Sequence, residues 1–296
     1  MAQPRKNNKE TEEDIEVLGE ESIDSDLFDR QKRIDGWDQE KIQTAKIMVV
    51  GAGATGNELL KNLVLAGIQN IVLIDFDIIN LSNLNRCILF TREGAEKGDY
   101  KVDVVSNSIK KINPNVNIEG IKTDLNSIDK NLYNECDVVC SCLDNLEARL
   151  EANNYAYFAG TPFVDSAIEG FMGTVQCVYS KVPEAACLQC GVSQKDMDLM
   201  WQKFSCTGEE ISEEEGATQE KLATIVSTTS IIGGLQAQQV IKFVLGVEIF
   251  EEDKTWNPYI GAPLIGTQLI YNGIKNEFFA IEKLKDDKCW ICSYQT

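Results

Sequence analysis

The 296-residue sequence predicts an α/β fold, doubly wound, with a mostly parallel sheet continued by antiparallel strands. Three observations predict it. Short apolar runs of strand length alternate with helical patterns through the first half of the chain. A glycine turn, Gly51-Ala-Gly53-Ala-Thr-Gly56, separates the first such run from the first strong helical pattern. The second half abandons the alternation and carries strand-like runs on either side of one long apolar helix.

Residues 1–26 are rich in Glu, Asp, Lys and Asn, and read as a disordered acidic tail. Residues 27–296 read as a single domain with a nucleotide-binding half over about 27–170 and a second half over about 171–296. A helical pattern over 27–45 carries Ile34, Trp37 and Ile42. Residues 46–50 form a buried parallel strand and 57–66 a helix with Leu59, Leu60, Leu63 and Val64 on one face. Strands follow at 71–74, 116–118, 137–141 and 163–165, with a helix over 101–112 stopped by Asn113-Pro114. Residues 174–179 read as an antiparallel strand, and 207–221, with Gly208 and Gly216, as a mobile acidic loop. The long helix covers 224–245, ended by Gly246, with Gly233-Gly234 suited to close packing. Two strands, 264–271 and 277–282, complete the order.

The formal net charge is −19, which disfavours a nucleic-acid partner, because phosphates need a basic face. No run of ~18 apolar residues suited to a membrane span is expected. The polar N-terminus and ten cysteines point to the cytoplasm and to metal or thiol chemistry before disulfides. Histidine is absent, so imidazole bases, Ser-His-Asp triads and His metal ligands are excluded.

The glycine turn follows a strand and opens a helix, the arrangement that brings backbone N–H groups and a helix N-terminus to a phosphate. Asp75, nineteen residues after Gly56, ends the second strand where an acid can hold ribose hydroxyls. Such a turn serves NAD and ATP alike. The polar stretch Asp75-Phe-Asp-Ile-Ile-Asn-Leu-Ser-Asn-Leu-Asn-Arg86 suits a triphosphate with Mg²⁺: Arg86 and Lys101 can neutralise phosphate, Asn83 and Asn85 can orient it, and Asp144 can hold the metal.

The sequence resembles the ubiquitin-activating superfamily, which includes the bacterial adenylating enzymes for molybdopterin and thiamine sulfur carriers. The matching segments run in order: Val49-Val-Gly-Ala-Gly-Ala-Thr-Gly56, Leu73-Ile-Asp-Phe-Asp77, Leu81-Ser-Asn-Leu-Asn-Arg86, Gly98-Asp-Tyr-Lys101-Val-Asp, Ile112-Asn-Pro114 and Cys142-Leu-Asp-Asn-Leu-Glu-Ala-Arg149. The resemblance covers about residues 28–292 and implies a Rossmann-like adenylation domain whose second half binds the carrier. It implies that Gly51, Gly53, Gly56, Asp75, Asp77, Asn83, Arg86, Lys101, Asp144 and Asn145 bind ATP and Mg²⁺. It also implies that Arg30 reaches the partner's ATP in a homodimer. The reaction implied is attack of a carrier's C-terminal carboxylate on the α-phosphorus of ATP. That nucleophile is already ionised at neutral pH and needs no base.

Cys187-Leu-Gln-Cys190 and Cys289-Trp-Ile-Cys292 are spaced as a four-thiolate zinc site, a redox dithiol or unpaired core cysteines, and the resemblance places zinc there. Cys206, followed by Thr207, lies where thioester-forming members carry their nucleophile. Cys87, Cys136, Cys140, Cys142 and Cys177 read as core, as do Trp37, Trp201, Trp256 and Trp290. Two functions remain. One is a ubiquitin-type activating enzyme passing its carrier from Cys206 to a conjugating enzyme. The other is a sulfur-carrier adenylyltransferase that stops at the adenylate. A catalytically silent scaffold and a NAD oxidoreductase fit less of the residue set.

Overall fold

A computed structural model describes residues 26–192 and 223–293. Residues 1–25 of the expected tail, Trp201, Cys206 and the loop expected over 207–221 lie outside the described residues.

The helical pattern over 27–45 divides into two short helices, α1 (Asp29–Lys32) and α2 (Gln39–Thr44). Two local signals divide it. Gly36 has φ +75°, and a Cβ there would lie 2.7 Å from Asn257 Oδ1. Asp38 then starts α2 by accepting the N–H groups of Glu40 and Lys41.

Eight strands form one sheet in the order β3-β2-β1-β4-β5-β6-β7-β8. The first strand, β1 (Lys46–Val50), pairs in parallel with β2 (Asn70–Ile74) and β4 (Val138–Ser141). Outside these, β3 (Asn117–Ile121) pairs with β2 and β5 (Phe163–Glu169) with β4, both in parallel. From β5 the sheet turns antiparallel through β6 (Met172–Val178), β7 (Thr267–Asn272) and β8 (Glu277–Glu282). The chain leaves β1 toward β2 on one side and reaches β4 on the other. Their carboxyl ends therefore diverge at a switch point, where ligand crevices form in open α/β sheets.

Helices cover both faces. On one, α3 (Ala54–Ala66), α5 (Lys101–Ile112) and α8 (Val226–Asp253) bury Leu59, Leu63, Val105, Ile109, Val240 and Phe243 against the sheet. On the other, α6 (Asn131–Asn134) and α7 (Leu146–Ala159) join the segments around Cys187 and Cys289 over Met48, Val50, Val72 and Val139. Neither α7 nor α4 (Arg92–Lys97) was expected from the sequence. The buried side of α7 carries Asn153 and the small residues Ala152 and Ala156, which blur its apolar stripe.

The long helix departs from expectation at its end. It runs past Gly246 to Asp253 and closes at Lys254, φ 60°, whose N–H donates to Phe250 O. Gly246 makes room for Trp256, since a Cβ there would lie 3.0 Å from the indole. Trp256 itself stacks on Phe250 with ring centroids 4.6 Å apart. By length and composition α8 is also apolar enough to cross a membrane, contrary to the expectation that the chain has no such run. Half of its most apolar window is buried inside the protein, where it packs along α3 and over β5 and β6. Of the expected glycine pair, only Gly233 meets α3: a Cβ there would fall 2.5 Å from Glu58 Cβ and 3.1 Å from Leu59 N, whereas Gly234 faces open space.

The two glycines should therefore respond oppositely to alanine. Gly233→Ala forces the helices apart and should cost about 1–3 kcal/mol. Gly234→Ala should gain about 0.5–1 kcal/mol through helix propensity. Urea denaturation midpoints of the two variants check both signs.

Candidate functional site

The switch point is built by backbone contact. Gly51, directly after β1, has φ +99°, and a Cβ there would lie 2.6 Å from the Cys142 carbonyl oxygen at the end of β4. A Cβ on Gly56, in the first turn of α3, would lie 2.1 Å from Gly51 O. These two glycines are required by close approach. Gly53 instead opens onto space, with nothing within 4 Å of its notional Cβ, and leads into the α3 N-terminus. Beneath the turn, buried Asn57 donates to Ala52 O at 2.8 Å and Gly53 O at 2.9 Å, and accepts from Leu89 N at 2.8 Å. Asn57 escaped the sequence reading because a buried amide looks like any helical polar residue.

Asp75 ends β2 and tethers the turn, its Oδ2 accepting Ala52 N–H at 2.7 Å and its Oδ1 accepting Asp77 N–H at 2.8 Å. Burial pushes the Asp75 carboxyl up from its ordinary value; Lys101 and the two N–H donors pull it back. Lys101 opens α5 with its ammonium 2.6 Å from Asp77 Oδ2 and 3.9 Å from Asp75 Oδ2, its side chain 13% exposed. Asn83 uses its Oδ1 on the N–H of Asn80, capping the short turn Leu81–Asn83. The Arg86 guanidinium is held by Ser82 O and, at 3.0 Å, by Asn85 Oδ1. Asn85 thus positions Arg86 and does not itself line the cleft, which differs from its expected role.

The opposite wall rises from β4, α7 and β5. Asn145 caps α7 through Ala148 N at 2.8 Å, with exposed Asp144 just before it. Arg149, one turn on, makes a two-pronged ion pair with Asp165 of β5, which is wholly buried; the Nε–Oδ1 distance is 3.0 Å. Gln176 also donates to Asp165, at 3.3 Å. Buried Gln236 of α8 donates to Ser141 O at 2.9 Å and Val164 O at 3.2 Å, and accepts from Ser166 Oγ at 3.0 Å and Cys142 Sγ at 3.4 Å. Arg149 stood inside a motif read for other residues. Asp165, Gln176 and Gln236 carried no signal in the sequence, because long-range contacts alone unite them.

Between these walls lies a cleft of about 360 Å³ lined by Gly51, Gly53, Asp75, Asp77, Asn83, Arg86, Lys101, Asp144 and Asn145. Gly56 lies beneath it. Arg30 is elsewhere: α1 is fastened to the far end of α3, with Gln31 Nε2 donating to Ala66 O at 2.6 Å. Cys142 also lines the cleft and is only part-buried, which corrects its reading as a plain core residue. Its backbone has to meet Gly51 there. Basic side chains facing an α3 N-terminus suit a polyphosphate, and Asp144 is placed to accept a divalent cation.

Away from the cleft, Cys187, Cys190, Cys289 and Cys292 converge with all four sulfurs within 4.8 Å of one another. The separations 3.9, 3.6 and 3.3 Å bracket the ~3.8 Å that four bonds of about 2.3 Å to one tetrahedral ion require. The donor set therefore fits zinc. The thiols share hydrogen bonds, which hold Cys190 down while pushing Cys187 up, and the Asp286 N–H also donates to Cys190 Sγ at 3.5 Å. Trp290, expected in the core, is 47% exposed, because Cys289 and Cys292 turn inward on either side of it. Burial pushes the Cys87 and Cys136 thiols up to about 11, and those of Cys140, Cys142 and Cys177 upward as well.

A sequence profile of the ThiF family matches residues 28–291. The SUMO-activating enzyme subunit 2 of Dictyostelium discoideum is 39% identical over 153 residues, which make up 51% of this chain and 22% of that protein. The molybdopterin-synthase adenylyltransferase of Escherichia coli strain K12 is 25% identical over 269 residues, 90% of this chain and 95% of that protein. The chain thus spans 22% to 26% of the SUMO-activating subunits it matches. Among solved structures, E. coli MccB with succinimide has a TM-score of 0.65 at 20% identity, covering 86% of this chain and 68% of that one, a likeness of fold.

The Arg149–Asp165 pair yields a stability test. Arg149→Met leaves the Asp165 carboxylate buried without its cation, and should cost about 3–5 kcal/mol. Adding Asp165→Asn removes the stranded charge and should restore part of that loss. Chemical denaturation of both variants measures the difference.

Proposed function

The chain belongs to the ThiF family, and from that premise we propose that it is an ATP-dependent enzyme adenylating the C-terminal carboxylate of a ubiquitin-like protein. The observation that carries this reading is the cleft itself. Arg86 and Lys101 face the open backbone at Gly53 across a switch point, in a chain with no histidine to serve another chemistry. The α- and β-phosphates lie along the Gly51–Gly56 turn at the α3 N-terminus, and Asp75 takes the ribose hydroxyls. Lys101, now paired with Asp77, turns its charge to phosphate oxygens with Arg86 beside it. Asp144, with Asn145 adjoining, would hold Mg²⁺, which would supply neutralising charge to the phosphates. The carrier's carboxylate then attacks the α-phosphorus, forming an acyl-adenylate as pyrophosphate leaves. Positioning and charge neutralisation supply the catalysis.

After adenylation, Cys206 attacks the adenylate carbonyl, releases AMP and holds the carrier as a thioester for a conjugating enzyme. Support comes from the described cysteines outside the four-thiol cluster: Cys87, Cys136, Cys140 and Cys177 are buried, which raises their thiols and makes them poor nucleophiles. The second reading is a sulfur-carrier adenylyltransferase without a thioester. It is favoured by the match along nearly the whole E. coli adenylyltransferase, against a quarter or less of the SUMO-activating subunit.

The enzyme acts as a homodimer in which Arg30 serves the partner's ATP. Supporting this, α1 is fastened to the C-terminal end of α3, about 20 Å of helix from its own phosphate turn. Zinc in the four-thiol site is structural, and the free cysteines suit the reducing cytoplasm.

Three outcomes follow. Pyrophosphate exchange with ATP, Mg²⁺ and a cognate ubiquitin-like protein should survive Cys206→Ala, while a dithiothreitol-sensitive enzyme–carrier band should vanish. An adenylate that forms with no such band in the unaltered enzyme selects the sulfur-carrier reading; no exchange with any carrier removes both. Elemental analysis should find about one zinc per chain, with Cys190→Ser losing it and melting lower. Mixing inactive Arg30→Ala and Asp144→Ala proteins should restore activity through hybrid dimers, and failure despite proven subunit exchange counts against the trans arginine.

A further inference from the structure

The cysteine cluster and the nucleotide cleft share one helix. The first turn of α7 forms a wall of the cleft, with Asn145 capping it, Ala148 and Arg149 lining the cleft, and Asp144 immediately before. The same helix, two turns on, holds the cluster. Asn153 is wholly buried, and its Oδ1 accepts the N–H of Leu188, the residue after Cys187, at 3.3 Å. Tyr157, one turn further, packs in the same buried cluster as Cys187, Leu188, Cys289 and Cys292. Arg149 and Asn153 are four residues apart, about 6 Å of helix. Arg149 is pinned to β5 by Asp165, so α7 is tied at the cleft end by an ion pair and at the cluster end by one amide set among the packed Ala152, Ala156 and Tyr157.

We propose that metal at the four thiols and ATP in the cleft are linked through α7, so that each tightens the other's binding. This rests on the adenylation reading for the identity of the nucleotide. A cluster that loses its metal frees the turn at Cys187 and removes the Leu188 anchor from Asn153. The α7 register against β5, and with it the placing of Asp144 and Asn145, then loses its hydrogen-bonded anchor at the cluster end and keeps only the apolar packing of Ala152, Ala156 and Tyr157 there. Linkage is reciprocal, so the effect can be read from either ligand.

The experiment measures zinc release from the purified full-length protein to a metallochromic chelator, with and without saturating ATP–Mg²⁺, and ATP affinity by calorimetry. ATP should slow zinc release on the order of tenfold. Asn153→Leu removes the acceptor for Leu188 N–H and should abolish that slowing while weakening ATP binding. ATP that binds yet leaves zinc release unchanged overturns the linkage and spares the adenylation reading. Slowing that persists in a folded Asn153→Leu protein overturns the α7 route. Absence of ATP binding to the zinc-loaded protein overturns the adenylation reading and the linkage with it. The unaltered protein carries the test by itself if Asn153→Leu does not fold.

Discussion

The backbone contact between the end of β1 and the end of β4 governs the rest of the molecule. Gly51 turns the chain at positive φ because the Cys142 carbonyl occupies the place of a side chain, and Gly56 packs as closely on Gly51 O. That contact sets the direction in which α3 leaves the sheet. It also brings Ala52 N–H onto Asp75, so the tip of β2 is tied to the same turn. Asn57 fastens the turn from below to the segment carrying Arg86 and Leu89. One tight backbone approach thereby places the glycine turn, the β2 acid and the Arg86 segment in register.

Charge is distributed around this turn in pairs. Lys101 lies between Asp75 and Asp77, and Arg149 is neutralised by Asp165 with help from Gln176. In a chain of net charge −19, such pairing holds Lys101 and Arg149, while Arg86 is held by Ser82 O and Asn85 Oδ1. The two pairs differ in kind. Lys101 faces the cleft and can exchange a carboxylate for phosphate, whereas Asp165 is fully buried and fastens α7 to β5. The first pair is suited to binding and the second to architecture.

Two helices carry that architecture away from the cleft. On one face α8 approaches α3 closely enough to demand Gly233, and reaches across with Gln236 to bond the end of β4 and the start of β5. On the other face α7 spans from Asn145 at the cleft to Asn153 at the cysteine cluster. The four thiols in turn join the segment after β6 to the end of the described chain, 102 residues apart in sequence. The second half of the chain thus braces the first through a few buried amides and one cluster of sulfurs.

What the sequence by itself determined were features with local causes. Residues 46–50 and 277–282 match their strands to the residue, and 101–112 its helix, because apolar runs and a terminating Asn-Pro act within a few positions. The glycine turn and the paired CxxC spacing were equally legible, since each needs one backbone conformation or one ligand geometry. Only the tertiary structure decided the rest. Gly246 looked like a helix stop and is a seat for Trp256; Trp290 looked like core and is exposed; Cys142 looked like core and lines the cleft. α7 passed unseen because its buried face is built from alanine and asparagine. Asp165, Gln176 and Gln236 have meaning only beside partners up to 95 residues away. Burial and hydrogen bonding across the sheet depend on which segments meet, and pattern within a segment carries no record of the meeting.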